Sequence, residues 1–235
     1  AFLELEYGSG VQHAEVPRHW NIKTLRNVPY HEGRSERSVI RDVLAAPIGA
    51  PSLRETVTPD EHVLVLVSDK TRRCRTDVFL PVLLDTLADC GVPDEHITIL
   101  FATGTHPRQS LQEQRSLLGD AVFERYRVRE HDARDAEACV HVGTTAAGTD
   151  IHINRLVTEA DRVIATGTIV HHYFAGFGGG AKLFVPGVAA YETAIANHRR
   201  TITVEGRFHP SCRDGLVQGN PVITDIFDAV RFMPP

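Results

Sequence analysis

The chain has 235 residues, 42% of them hydrophobic and 23% charged, with a formal net charge of -5. This is an ordinary globular composition. It excludes a disordered, collagen-like or coiled-coil chain, and the acidic balance argues against a general nucleic-acid binder. No apolar run approaches the roughly 20 residues needed to span a bilayer. Glu4 and Glu6 stand where a secretion signal would carry basic and then apolar residues, so the expected compartment is the cytoplasm. Cys74, Cys90, Cys139 and Cys212 are widely spaced with no C-x-x-C pair. In a reducing compartment they are expected to be free and mostly buried.

In chain order, Leu3 to Tyr7 reads as an edge strand before Gly8, and Ser38 to Ala46 as a helix stopped by Pro47. His62 to Val67 is an unbroken apolar run, the pattern of a strand buried on both faces. Thr76 to Ala88 follows with apolar residues close to helical spacing and is ended by Gly91. Ile97 to Phe101 is a second buried strand, Leu111 to Leu118 a helix, and Tyr126 to Val128 and Val140 to Val142 short strands. Ile153 to Ala160 reads as helical, Arg162 to Thr166 as a strand, and Pro221 to Phe232 as a final helix with proline in its first turn. This alternation predicts an α/β fold, a mainly parallel Rossmann-like sheet flanked by helices. The strands at 62–67, 97–101 and 162–166 are expected to lie adjacent or one apart.

Ligands of open parallel sheets bind at the carboxyl ends of the strands, and here each strong strand runs into polar residues at that end. The first leads to Asp69-Lys70-Thr71-Arg72-Arg73 and the second to Gly104-Thr105-His106. The Tyr126 strand leads to His131-Asp132. The Arg162 strand leads to Thr168, His171-His172 and a glycine loop, Gly176-Phe177-Gly178-Gly179-Gly180-Ala181-Lys182. That loop lacks the Gly-Lys-Ser/Thr of a Walker loop and fits the dinucleotide fingerprint poorly. It suits close backbone approach to a ligand, with Lys182 beside it. It has few side chains to anchor it, so residues 174–183 are expected to be mobile without ligand. Arg72 suits a forked clamp on a carboxylate or phosphate. His106, His172 and His198 are candidates for proton transfer or metal ligation, and one or two imidazoles need further donors to hold nickel or zinc.

Asp69-Lys70-Thr71-Arg72, Gly104-Thr105-His106, His172 through Lys182, Pro186-Gly187 and His198 together resemble the lactate racemase family, whose members use a nickel-pincer nucleotide. The resemblance runs over nearly the whole chain but only the N-terminal half of a family member. It implies a covalent thioamide link from Lys182 to the cofactor and nickel ligation by His198, the pincer supplying two sulfurs and a carbon. It further implies His106 and His172 as acid/base residues for the two faces of the substrate and Arg72 as the carboxylate clamp. Asp69 and the Gly178, Gly179 and Gly180 backbone would contact the nucleotide. The implied reaction is racemisation or epimerisation of a 2-hydroxy acid, with the hydrogen leaving the carbon as hydride and returning on either face. Residues 1–232 would form the cofactor-binding domain, and 233–235 would begin a linker to a C-terminal domain. Partners would then be a small 2-hydroxy acid and that second domain, with no nucleic acid or membrane.

Three positions depart from the family pattern. Arg73 follows the clamp arginine where proline is usual, His106-Pro107-Arg108 replaces His-Arg-Pro, and Gly178 stands where serine is common. The first two move charge beside the substrate and point to a larger or more acidic 2-hydroxy acid than lactate. The competing readings are a non-catalytic nucleotide- or phosphate-binding α/β module and a fragment of a larger enzyme. Two opposed bases favour the racemase, since a module that only holds phosphate has no use for them.

Overall fold

The computed structural model describes residues 2–8, 10–24 and 33–234. The chain divides into two compact units, residues 1–34 and 35–235. In the first, β1 (Phe2–Tyr7) and β2 (Gly10–Glu15) form an antiparallel hairpin, Phe2 opposite Glu15 and Tyr7 opposite Gly10. The strand expected at Leu3 to Tyr7 is therefore half of a hairpin.

The second unit starts with α1 (Glu36–Ala45), whose N-cap Ser35 accepts a hydrogen bond from the Ser38 N–H at 3.2 Å, and a short α2 (Leu53–Thr56). There follow β3 (Val63–Ser68), α3 (Thr76–Asp89), β4 (Ile97–Ala102), α4 (Leu111–Leu118), α5 (Asp120–Arg125) and β5 (Arg127–Glu130). Next come β6 (Cys139–Thr144), β7 (Asp150–Asn154), α6 (Arg155–Glu159) and β8 (Arg162–Ala165). Two short strands, β9 (His171–His172) and β10 (Gly176–Phe177), precede α7 (Tyr191–Arg199) and α8 (Pro221–Val230). No helix among the described residues is long and apolar enough to cross a membrane.

Four strands make the central sheet in the order β5-β4-β3-β8, all parallel. The three strong strands of the sequence are thus immediate neighbours. The two-residue alternation of a strand sends Val63, Val65 and Val67, with Ile97, Ile99 and Phe101, to one face, against Leu80, Leu84 and Leu87 of α3 and Leu118 of α4. Leu64, Leu66 and Leu100 go to the other face, against Ile151 and Ile153 of β7 and Val222, Ile223 and Ile226 of α8. Both faces are covered, which is why β3 is apolar at nearly every position. Arg162 forks onto the Glu61 carboxylate at 2.6 and 2.8 Å and pins the start of β8 beside that of β3.

Some expectations need correction. The helix read over Ile153 to Ala160 begins only at Arg155. Ile153 and Asn154 finish β7, and the Asn154 side chain caps the helix by accepting the Leu156 N–H at 3.1 Å. The strand at Val140 to Val142 is the middle of the longer β6, paired antiparallel with β7 outside the central sheet. The final helix stops at Val230. All four cysteines are free, Cys139 and Cys212 buried, Cys74 and Cys90 half-buried. Pro235, at the end of the expected linker, lies outside the described residues.

Candidate functional site

Strands β4 and β5 are laid down on one side of β3 and β8 on the other, so the chain order reverses between β3 and β8. At such a switch point the loops leaving two neighbouring strands diverge and open a crevice at their carboxyl ends. Here a cavity of about 1070 Å³ lies at that end. Its walls include Asp69, Thr71, Arg72 and Arg73 after β3, Gly104 to His106 after β4, and Thr168 after β8. His172, Gly178, Gly179, Lys182 and His198 also line it. Of the nine residues singled out from the sequence, only Gly180 is outside this lining.

Asp69 follows β3 directly and is almost fully buried. Its Oδ2 lies 2.6 Å from His106 Nδ1, and its Oδ1 accepts from the Thr71 N–H at 2.6 Å and the Thr71 hydroxyl at 2.7 Å. Burial pushes this carboxyl up, but the hydrogen bonds from His106 and Thr71 outweigh it and hold it below the usual range. With Nδ1 directed at a carboxylate, His106 keeps Nε2 free. Arg72 donates to the Thr71 carbonyl at 3.2 Å and its hydroxyl at 3.4 Å, and has no carboxylate partner among the described residues. The nearby basic residues Lys70 and Arg75 are tied up, by Glu113 at 2.7 Å and Glu36 at 2.9 Å.

The glycine loop is a small hairpin. His172 pairs with Gly176 and His171 with Phe177. Phe174 and Leu183 are buried in the core beneath it, anchors that the sequence reading did not credit. The Phe174 ring meets His172 edge-on at 4.5 Å and His198 edge-on at 5.1 Å, with Lys182 Nζ 5.2 Å from its centroid. One aromatic therefore spaces three functional side chains. Gly179 has φ +76°, and a Cβ there would meet the Thr168 carbonyl oxygen at 2.6 Å, so the loop backbone lies directly on the segment leaving β8.

His172 Nδ1 accepts from the N–H groups of Ala175 at 3.3 Å and Phe174 at 3.5 Å, while Nε2 lies 3.1 Å from Lys182 Nζ. A neutral ring that accepts at Nδ1 carries its hydrogen on Nε2 and offers it to the lone pair of a neutral amine. The electrostatics agree. Burial, then the neighbouring Arg72, push Lys182 down to about 8. Burial, then Lys182, Arg72 and His198, push His172 down to about 4. His198, on the cavity side of α7, is also lowered, by burial and then by Lys182.

Two histidines of the sequence reading take other roles. His131, expected at the binding edge, is buried away from the cavity, with Nε2 on the Ala189 carbonyl at 2.9 Å and Nδ1 facing the Asn154 amide at 3.1 Å. His171 sits exposed at the rim, 3.0 Å from Asp214. The sequence reading missed Thr71 and Phe174 as site residues. Both lie inside the motifs, but no periodicity distinguishes a site aromatic from a core one. Helix α7, which carries His198, was also unforeseen.

The fold and site define an α/β domain with a polar crevice at its switch point, the architecture in which nucleotides and other small ligands are held. The family follows from the chain itself. Residues 7–208 match the lactate racemase N-terminal domain, and the chain belongs to the lactate racemase family. It is similar to lactate racemase of Thermoanaerobacterium thermosaccharolyticum, 31% identical over 233 residues, 98% of this chain and 54% of that protein. It is also similar to lactate racemase of Lactiplantibacillus plantarum, 33% identical over 204 residues, 86% of this chain and 46% of that protein. The chain thus spans about half the length of the curated relatives it matches. Among solved structures, the lactate racemase apoprotein from T. thermosaccharolyticum superposes with a TM-score of 0.86 at 30% identity, over 99% of this chain and 53% of that one. A Thermotoga maritima protein shares the fold, with a TM-score of 0.62 at 24% identity.

Proposed function

We propose that this chain is the N-terminal, cofactor-binding half of a racemase or epimerase of 2-hydroxy acids that carries a nickel-pincer nucleotide on Lys182, with a C-terminal domain completing the site. The observation that carries the reading is the meeting of His106, His172, Arg72 and Lys182 around one cavity.

The residues present suit the group. Lys182 is a half-buried amine whose ammonium form is less favoured than an ordinary lysine's, as a residue that must be acylated requires. Among the described residues no three His, Cys, Asp or Glu side chains are grouped to hold a metal. A nickel ion bound by His198 would therefore take its remaining donors from the pincer. The cavity, about 1070 Å³, has room for a mononucleotide with a small acid beside it.

When bound, the cofactor would accept hydride from the hydroxyl-bearing carbon and return it. The protein's part is to bind, orient and move a proton. Arg72, without a carboxylate partner in the chain, would take the substrate carboxylate as a forked pair. His106 would take the hydroxyl proton of one enantiomer at Nε2, the Asp69 carboxylate stabilising the resulting imidazolium. His172 would do so for the other enantiomer, each histidine acting as acid where the other is base. Burial first and then the charged form of Lys182 depress His172; acylation of Lys182 would remove the second of these and so raise the basicity of this histidine. Asp69, assigned from the sequence to nucleotide contact, is better used as the residue that orients His106. Arg73 lines the cavity with no ion-pair partner among the described residues and would favour a substrate with a second anionic group.

The test uses the complete two-domain protein made together with the cofactor-synthesis machinery. An adduct of cofactor size on the Lys182 peptide, nickel by elemental analysis, and racemisation of a 2-hydroxy acid from either enantiomer are expected. An adduct without racemisation of mono- or dicarboxylic 2-hydroxy acids would leave a nucleotide-binding module instead.

A further inference from the structure

Behind the cavity lies a buried polar cluster in which none of the residues expected to act on substrate takes part. Asp225 on α8 is almost fully buried. Its Oδ1 accepts from the Thr145 hydroxyl at 2.6 Å. Its Oδ2 accepts from the Thr149 hydroxyl and the Asn197 side-chain amide, both at 2.9 Å, and forms an ion pair with Arg200, whose Nε lies 3.0 Å away and donates to the Thr149 hydroxyl at 3.1 Å. Thr145 and Thr149 belong to the turn joining β6 to β7, and Arg200 reaches on to that turn at the Ala147 carbonyl, 2.7 Å away. One carboxylate thus joins α8, the β6–β7 turn and the C-terminal turn of α7.

His198 lies between Asn197 and Arg200. At 3.6 residues per turn, Thr193 and Asn197 fall on one face of α7, continued by Arg200 at its C-cap, and Ala194 and His198 on the next, continued by Thr201 just past the helix. The first face is fixed twice. Near the start of the helix the Thr193 hydroxyl donates to the Asp150 carbonyl at 2.7 Å and accepts the His152 N–H at 3.0 Å. At its end Asn197 and Arg200 hold Asp225. Of the second face, His198 and Thr201 line the cavity. A rotation of α7 about its axis by one residue's turn would carry His198 out of the cavity, and the hydrogen bonds to Asp225 oppose that rotation.

The chemistry of the cluster favours position over stability. Asn197 is fully buried, and its side-chain Oδ1 has no hydrogen-bond partner. An aliphatic residue would leave no such orphan. What asparagine adds is its amide donor, shared between Asp225 and the Val222 carbonyl at 3.1 Å. A buried carboxylate paired with arginine likewise gains little over well-packed apolar side chains, and its best-attested use is to fix one arrangement among several.

We infer that Asp225 is a positioning residue for His198, setting the rotation of α7 that presents the imidazole to the cavity. The geometric claim stands on the hydrogen bonds. Only its consequence for metal ligation rests on the function proposed above, so the experiment reads the position of His198 without metal or cofactor. The imidazole of His198 lies edge-on to the Phe174 ring, and its Cε1–H and Cδ2–H proton shifts therefore carry a ring-current displacement that reports where it sits. These resonances are assigned in the described chain by comparison with His198→Gln and Phe174→Leu.

Asp225→Asn keeps the shape but turns the Asn197 and Arg200 donors against an amide. Arg200→Gln is milder and removes one arm from a half-buried site. Both variants should lose most of the Phe174-dependent displacement at a temperature well below their unfolding midpoints. Leu66→Ala, which destabilises the same core without touching the cluster, should retain it. Were Asp225→Asn to fail to fold, Arg200→Gln carries the test. Retention of the wild-type displacement in the folded cluster variants, or equal loss in Leu66→Ala, would overturn the inference.

Discussion

Lys182 Nζ and His172 Nε2 lie 3.1 Å apart in a cavity wall, the imidazole bound on its far side by two backbone N–H groups. Both groups are shifted towards their neutral forms, and a ring that accepts at Nδ1 meets the amine in that form. One supplies the hydrogen and the other the lone pair, and burial favours that state in each.

The first prediction concerns the reactivity of Lys182. The chain has three lysines, Lys23, Lys70 and Lys182. With Lys182 pushed down to about 8, near half of it is free amine at pH 8, whereas an ordinary lysine is below about 1%. Lys70 is further engaged in an ion pair with Glu113 at 2.7 Å. Under sub-stoichiometric acetic anhydride at pH 8, Lys182 should be acetylated ahead of the other two although it is half-buried, with a rate that rises with pH through a midpoint near 8. Peptide mass spectrometry measures all three in one sample, and preferential labelling of Lys23 would contradict the assignment.

A second prediction concerns Asp69 and His106. Asp69→Asn keeps a side chain of the same shape but removes the carboxylate that fixes the ring and stabilises its protonated form. In the loaded two-domain enzyme proposed above it should slow turnover by about 10²–10⁴-fold while leaving substrate KM within a few-fold. Arg72→Ala should do the reverse, weakening both enantiomers alike, because a carboxylate clamp does not distinguish the hand of the neighbouring carbon. The ¹⁵N shifts of His106 in the Asp69→Asn variant provide the structural check: an unchanged tautomer and orientation would remove Asp69 from this role.

The folded state should lose stability in mild acid. His172, His131 and His198 are all lowered, chiefly by burial, so they remain neutral in the folded chain at a pH where the unfolded chain protonates them. For His172 the unfolded ring takes its proton near 6.5 and the folded one near 4. Its contribution is therefore full above pH 6.5 and is lost as pH falls towards 4. A shift of that size corresponds to about 3 kcal/mol, and partial solvent screening reduces it to about 1–2 kcal/mol. Urea midpoints between pH 7 and pH 4.5 should fall with pH, less steeply in His172→Gln. A parallel slope in the variant would show that His172 is not a source of the effect.

The glycine loop gives a graded prediction. At Gly179 both the positive φ and the Thr168 carbonyl oppose a side chain, so Gly179→Ala should cost about 3 kcal/mol or more. At Gly178 a Cβ would meet only the Val170 side chain and carbonyl, at 3.4 and 3.7 Å, so Gly178→Ser should change stability by less than about 1 kcal/mol. Denaturant unfolding of the two variants measures the difference. Equal effects would mean that the loop does not pack on the segment leaving β8.

The sequence alone determined the central sheet and one end of it. His62 to Val67 and Ile97 to Phe101 are apolar at nearly every position because both faces of β3 and β4 are covered, and that pattern is local. Polar residues soon after each strand mark the ligand edge for the same reason: a side chain within a few residues of a strand's end has little freedom in where it lies. Asp69, Arg72 and His106 were legible on this ground. His198, Lys182 and the Gly178 to Gly180 run stood out through their resemblance to a family.

Only the tertiary structure decided which polar groups meet. His131 and His106 both follow strands of the same sheet, yet the first is consumed by the Ala189 carbonyl and the second opens onto the cavity. Nothing in their neighbours along the chain separates them. Helix α7 has no apolar stripe long enough to declare itself. It is held by Thr193, Asn197 and Arg200, whose partners lie 25 or more residues away in sequence. The pairings of Asp69 with His106 and His172 with Lys182 likewise join segments through space. Periodicity reports how much of each residue is covered; it carries no information on which distant donor finds which acceptor, and that choice belongs to the packed chain.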